Sequence, residues 1–215
     1  MTMTTIGIIG SGHVGASLAA AAVAHDYNVV LSNSQGPDSL AGLVAGLGPK
    51  ARAATPADAA AAADFAIVAI PITTVEKVPV HPLAGKVVIA TINYFPQRDG
   101  HIAAIDNGTT TAPGILQAHL PASKVVRAFS MVDAADMSGD GHPPGDPKRR
   151  ALALAGDDRA ARKLVAGLYD EFGFDTVDLG SLDESWRVDP GQPAFVTRQN
   201  LAELQANVAR ARRGA

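Results

Sequence analysis

The sequence predicts an α/β fold of the Rossmann type: a doubly wound, mainly parallel sheet with a small C-terminal α/β extension. Three observations carry that prediction. An apolar run from Thr5 to Ile9 breaks into Gly10-x-Gly12-x-x-Gly15 and passes at once into an alanine-rich helical stretch. Continuous apolar runs, the mark of parallel strands buried on both faces, recur at Asn28–Ser32, 64–70, 86–92 and 124–131. Helical stretches separate these runs, so the rhythm is that of repeated βαβ units. A chain of 215 residues suffices for one such domain with a small appended lobe, which we divide as 1–130 and 131–215.

Composition narrows the functional classes. Apolar residues make up 47% of the chain, enough for a substantial core. A net charge of −3 gives no basis for binding nucleic acid or an anionic membrane. The absence of cysteine removes disulfides, thiolate catalysis and cysteine metal sites together. No apolar run approaches the roughly 18 residues of a membrane span, and the first residues enter a strand without a signal-peptide pattern. The expectation is a soluble, cytoplasmic protein.

The glycine motif is where chemistry begins. Gly10 lets the strand turn tightly, Gly12 lacks a Cβ that would block a pyrophosphate, and Gly15 lets the helix lie close on the strand. Unpaired N–H groups at the helix N-terminus then face the phosphates. With a strand before it, a helix after it and a second strand following, the motif reads as a dinucleotide loop of Gly10, Ser11, Gly12, His13, Val14 and Gly15. The helix over 14–25 is small and apolar and therefore covered. His25 at its end reads as a solvated cap at the negative end of the helix dipole.

The second strand runs into Ser32-Asn33-Ser34-Gln35-Gly36-Pro37. In NAD-binding chains an acidic residue about 20 positions after the glycine motif holds the ribose 2′-OH. Ser32 stands about there, and no carboxylate follows until Asp38. A carboxylate would repel a 2′-phosphate, whereas Ser32, Asn33 and Ser34 offer hydroxyls, an amide and backbone N–H groups. NADP is thus expected rather than NAD. The loop has no arginine; Gln35 takes its place, and Lys50 and Arg52 are read first as solvated surface cations.

A short strand over 50–54 precedes Thr55 as helix N-cap, with Pro56 at the first helical position. The run 64–70 ends at Pro71, and 72–75 begins a helix. Strand C-termini face the ligand crevice in a doubly wound sheet, so Ala69, Ile70, Pro71 and Val75 are candidates to border ribose and adenine. A purely structural loop is the alternative. The next strand exits through Asn93-Tyr94-Phe95-Pro96: Asn93 suits a ribose or carboxamide, and Tyr94 and Phe95 offer flat faces, although loop aromatics more often pack than stack. The strand over 124–131 again runs toward the crevice.

The breaker-rich segment 138–147 reads equally as lid or linker, and its His142 as a surface residue before a catalytic one. The last third gives a strand over 150–156, a helix over 158–172 and a strand over 174–179. Trp186, the only tryptophan, follows in a loop. A final helix over 197–213, with Leu201, Leu204 and Val208 at helical spacing, closes the domain or supports a dimer.

Taken together, Gly10-Ser11-Gly12-His13-Val14-Gly15, the Leu31–Pro37 and Ile92–Gly100 segments, Val125-Val126-Arg127-Ala128-Phe129, the Ala155-Gly156-Asp157-Asp158 junction and the Trp186 segment resemble the NADPH-dependent coenzyme F-420 reductases. The resemblance covers nearly the full length. It implies NADP in the glycine-rich crevice, a deazaflavin laid against the nicotinamide, direct hydride passage between the two rings, and a homodimer. On that basis Asn93 faces the nucleotide, and Tyr94, Phe129 and Met131 form the acceptor wall. The chain departs from the family pattern at Thr91, where an acidic residue is frequent, at Ser130 and Met131, and at Gln35. Since both reactants carry their own reactive atoms, no catalytic acid or base and no metal is expected. Two other readings stand beside this one. They are a reductase of the same fold acting on a flavin, quinone or small imine or carbonyl, and a protein that senses NADP without turnover.

Overall fold

The computed structural model describes residues 4–137 and 139–213. In order the elements are β1 (Thr5–Ile9), α1 (His13–Ala24), β2 (Asn28–Ser32), α2 (Ala41–Leu47), β3 (Ala51–Ala53), α3 (Pro56–Ala62), β4 (Phe65–Val68) and β5 (Val87–Ala90). There follow α4 (Pro96–Asp99), α5 (Ala103–Asp106), α6 (Ala112–His119), β6 (Lys124–Arg127), β7 (Ala151–Gly156), α7 (Arg159–Glu171), β8 (Asp175–Asp178) and α8 (Leu201–Arg210). One eight-stranded sheet runs β3-β2-β1-β4-β5-β6-β7-β8. Its strands are parallel except where β6 meets β7. The expected doubly wound α/β sheet is present, and the winding reverses between β1 and β4, where such sheets open a crevice at their carboxyl edge.

The apolar runs form strands because both faces are covered. Ile6, Ile8 and Leu31 lie in a cluster with α1 and α7 on one side, and Val68, Val88 and Ala90 in another with Leu116 of α6. Thr55 caps α3 as its sequence implies, its side chain accepting from the Asp58 N–H at 3.2 Å, with Pro56 opening the helix. The last helix starts later than its pattern suggests, at Leu201, because Asn200 and Glu203 form a reciprocal capping box there.

The expected strand over 124–131 ends at Arg127. Phe129 takes φ +54, off the strand conformation, and its N–H donates to the Tyr169 hydroxyl at 2.8 Å. Only two residue pairs, Val126 with Gly156 and Arg127 with Ala155, then join β6 to β7. Side chains do the rest. The Arg127 guanidinium, 1% exposed, donates to Ser130 Oγ, Asn93 Oδ1, the carbonyls of Ser185 and Val188, and the Asp189 carboxylate.

Ser138, the first residue of the breaker-rich segment, lies outside the described residues; the rest of the segment is fastened. Asp140 pairs with Arg150 and Arg198. The His142 N–H donates to Gly173 O at 3.1 Å, and its carbonyl accepts from Arg149 at 2.7 Å. His25 is more than a solvated cap, since its ring stacks on Phe172 at 4.8 Å. No helix among the described residues is long and apolar enough to cross a membrane.

Candidate nucleotide-binding site

The turn after β1 has the geometry its glycines dictate. Gly10 sits at φ +105, where a Cβ would fall 2.2 Å from Ala69 O, and a Cβ on Gly15 would fall 1.9 Å from Gly10 O. These two residues therefore lock the loop onto β4 and the helix onto the loop. Gly12 differs, because nothing lies within 4 Å of where its Cβ would stand. It is the N-cap of α1, and no side chain caps the helix there. The first-turn N–H groups thus keep donor capacity and the positive end of the helix dipole for an anion. An open space at Gly12 beside uncapped N–H groups is the arrangement a pyrophosphate requires, so the residues present fit a dinucleotide.

A cleft of about 890 Å³ opens at this point. Its wall joins Gly10, Ser11 and Gly12 to the β2 loop (Asn33, Ser34, Gln35, Gly36) and to Ala69, Ile70 and Pro71 leaving β4. Thr55 and Pro56 at the start of α3, and Thr74, Lys77 and Val78 beyond β4, complete it. Of the residues expected here, Gly10, Ser11, Gly12, Asn33, Ser34, Ala69, Ile70 and Pro71 come together. The Asn33 carboxamide also shapes the loop, accepting from the Gln35 N–H at 3.0 Å and donating to Ser39 Oγ at 2.9 Å.

Several expectations are corrected. Ser32 is fully buried and its hydroxyl donates to Ile8 O at 3.1 Å, so its side chain serves the β1–β2 pairing and cannot meet a 2′-phosphate. Val14 packs on the core, His13 is exposed outside the wall, and Gly15 serves helix packing alone. Val75 is buried beneath β4 and β5; its neighbours Thr74, Lys77 and Val78 reach the cleft instead. Asn93 lines neither cavity described in this section, because Arg127 holds its Oδ1 at 2.8 Å and its Nδ2 donates to Ser130 O at 2.7 Å. Phe129 and Met131 are 1% and 0% exposed. The Phe129 ring stands edge-on to Tyr169, and Met131 Sδ accepts from the Ala153 N–H, so neither forms an acceptor wall. Lys50 is paired with Asp26, and both Lys50 and Arg52 lie by Thr5 and Asn28, at the amino edge of the sheet. His142 lies by Ala24 and His25, at the end of α1 away from the glycine loop.

A second cavity, of about 700 Å³, opens where the chain leaves β5, the strand paired to β4. Tyr94, Phe95 and Trp186 give it three aromatic walls. Tyr94 is fixed at both ends of its hydroxyl, donating to Asp106 Oδ1 at 2.7 Å and accepting from the Ile102 N–H at 3.0 Å. Burial pushes the Tyr94 phenol up, while the bond from that phenol holds Asp106 below the usual carboxylate range. Trp186 carries guanidinium groups over its ring, Arg187 at 4.6 Å and Arg213 at 5.4 Å. The charged groups of this wall are spoken for: Arg213 pairs with Asp183, Asp189 with Arg127, and Asp106 with Tyr94 and His101. Sequence alone gave Trp186 only as a loop residue and placed nothing at Lys77.

Residues 5–94 match the family described as "NADP oxidoreductase coenzyme F420-dependent". Over those residues the chain is similar to this family of NADP-dependent oxidoreductases. The match covers β1 through the start of the β5 exit loop, and so the whole of the nucleotide cleft. Beyond it, likeness is carried by solved structures. A hypothetical protein, SMa0349, from Sinorhizobium meliloti superposes with a TM-score of 0.78 at 29% identity, over 93% of this chain and 96% of that one. A candidate F420-dependent NADP reductase from Arthrobacter sp. FB24 superposes with a TM-score of 0.72 at 24% identity, over 84% and 86%, and shows the shared fold. The protein YjhV of Escherichia coli (strain K12) is 43% identical over 53 residues, which span 25% of this chain and 39% of that protein.

Proposed function

We propose that this protein transfers a hydride between NADPH and a planar acceptor, with the deazaflavin coenzyme F-420 as first candidate. The observation that carries this reading is the pair of cavities at the exits of adjacent strands. One is shaped for a dinucleotide, and the other is walled by Tyr94, Phe95 and Trp186. Bound NADPH would supply the hydride and the acceptor ring would receive it. The chain's own residues position and exclude water. The first-turn N–H groups of α1 bind the pyrophosphate beside Gly12, Ser34 and the β2 loop receive the 2′-phosphate, and Ala69, Ile70 and Pro71 border the ribose. Tyr94, held by Asp106, and Trp186, packed against the Arg187 and Arg213 guanidinium groups, give that cavity fixed aromatic walls. Catalysis of this kind rests on orientation more than on proton transfer. We read residues 1–130 as the nucleotide-binding domain with 131–215 as its extension, in a cytoplasmic homodimer.

One observation favours a second acceptor. Coenzyme F-420 carries an anionic tail, whereas the one cation lining the aromatic cavity among the described residues, Arg213, is already paired with Asp183. A neutral planar acceptor such as a quinone or cyclic imine, or a flavin, suits that wall as well. The test is to mix the purified protein with NADPH and oxidised coenzyme F-420 and follow the deazaflavin absorbance, with NADH, flavin, quinone and imine in parallel. Bleaching of the deazaflavin that falls at least tenfold in a Trp186→Ala variant, with NADPH affinity unchanged, is the expected result. Turnover of another acceptor alone moves the assignment to that class. NADPH binding without turnover of any acceptor overturns the enzyme reading in favour of a sensor.

A further inference from the structure

We infer that Lys77, and not a residue of the β2 loop, supplies the charge by which this protein prefers a 2′-phosphorylated nucleotide. The inference rests on the reading of the cleft as a dinucleotide site. Recognition of a 2′-phosphate asks for a cation, since the group carries close to two negative charges and its hydrogen bonds are strong when charge-assisted. The β2 loop has none: Ser32 is turned inward, and Asn33, Ser34, Gln35 and Gly36 are neutral. The nearest cations in sequence are disposed of by geometry, because Lys50 and Arg52 stand at the opposite edge of the sheet.

Among the residues lining the cleft, Lys77 is the single ionised one, and no carboxylate shares the wall with it. It ends the 3-10 turn Ile72–Lys77, which Pro71 starts on leaving β4, and Thr74 and Val78 of the same stretch also face the cleft. Among the described residues it makes no hydrogen bond or ion pair. The other lysines of the parallel sheet do: Lys50 pairs with Asp26, Lys124 with Asp158 at 3.4 Å, and Lys86 donates to Ala60 O at 2.8 Å and Ala61 O at 3.0 Å. A flexible ammonium with unused donors, on a wall with no countercharge, is positioned to pair with a phosphate that enters beside the neutral loop. The turn after β4 thus takes over the work that an arginine at the Gln35 position would do.

The test uses binding alone, with 2′,5′-ADP and 5′-AMP as probes in calorimetric titrations of the full chain. In Lys77→Met the affinity for 2′,5′-ADP is expected to fall about tenfold, the loss of one charge-assisted contact, while that for 5′-AMP stays within about twofold. Adding Gln35→Arg to Lys77→Met should restore the preference from the other side of the cleft. The side chain of Lys77 is exposed, so an unchanged melting temperature is expected and would show that the variant is folded. Equal losses for both probes would place Lys77 on the pyrophosphate and overturn the proposal, as would no loss for either. If the unaltered protein binds neither probe nor NADPH, the dinucleotide reading itself fails and the inference falls with it. Binding of both probes without preference in the unaltered protein leaves that reading intact and overturns only the role of Lys77.

Discussion

The nucleotide cleft and the seam between β6 and the C-terminal third follow opposite electrostatic plans. The cleft wall is made of glycine, alanine, proline and small polar side chains, with one ionised residue. At the seam and just beyond it, Arg127, Arg149 and Arg150 are 1%, 3% and 2% exposed, and each meets a carboxylate of the protein itself. A buried guanidinium is costly unless its charge is met by acceptors, so these three bind the chain to itself, although Arg150 Nε is left without a partner. The cleft leaves donors unspent, and that capacity is what a ligand can use. The difference teaches where binding and where cohesion reside in one continuous sheet.

The largest effect comes from two glycines of one loop that should behave differently. Gly15→Ala drives a Cβ to 1.9 Å from Gly10 O, an overpacking against backbone that costs about 3 kcal/mol and lowers Tm by roughly 9 °C. Gly12→Val meets open space, so a thermal melt should match the parent within about 2 °C while NADPH fluorescence titration shows no binding. A folded Gly12→Val protein with parental NADPH affinity would break the comparison at its root.

The seam gives the next effect. Arg127→Met strands Asn93 Oδ1 and the Asp189 carboxylate. Because Asp189 keeps 24% of its side chain in water, the cost falls at the low end for a broken buried pair, about 3 kcal/mol. Denaturant melts should show that loss, while NADPH affinity measured at low temperature on the folded fraction changes less than about threefold. A selective loss of NADPH affinity with intact stability would mean that Arg127 belongs to the cleft after all.

The smallest effect sharpens the picture by pH. The Tyr94 hydroxyl holds Asp106 below the usual carboxylate range, and the Arg98 guanidinium does the same for Asp99. A depressed carboxyl contributes stability above its unfolded value near 4 and loses it as pH falls through its lower folded value. Tm should therefore hold from about pH 8 to 5 and decline below about 4. Asp106→Asn, whose amide does not titrate, should make that acid decline shallower and leave NADPH binding at neutral pH unchanged. An identical acid slope would remove Asp106 from the account.

Much of the cleft was legible in the sequence because local chemistry fixes it. Gly10 and Gly15 are required by contacts within a few residues or with the adjacent strand, and Thr55–Pro56 signals a helix start anywhere. The misreadings share a different cause. Ser32 stands where a ribose-binding residue is expected, but its hydroxyl is taken by a carbonyl on β1, a fact of strand register that spacing does not carry. Phe129 and Met131 continue an apolar run, and only Tyr169, forty positions later, bends the chain there. Lys77 belongs to no motif; its place in the wall follows from where the turn after β4 happens to end. Asn93 was expected to meet the nucleotide, but Arg127 and the Ser130 carbonyl, both beyond β5, take its amide instead.

The seam also sets an order of events. Of the five acceptor groups around Arg127, that from Ser130 is three residues away and that from Asn93 lies earlier in the chain, whereas Ser185, Val188 and Asp189 come roughly sixty residues later. During synthesis, which delivers the N-terminal strands first, β1 to β6 can complete their ladder while this guanidinium still lacks its carboxylate. The last part of the chain thus plugs a charged position that the parallel sheet alone leaves uncompensated.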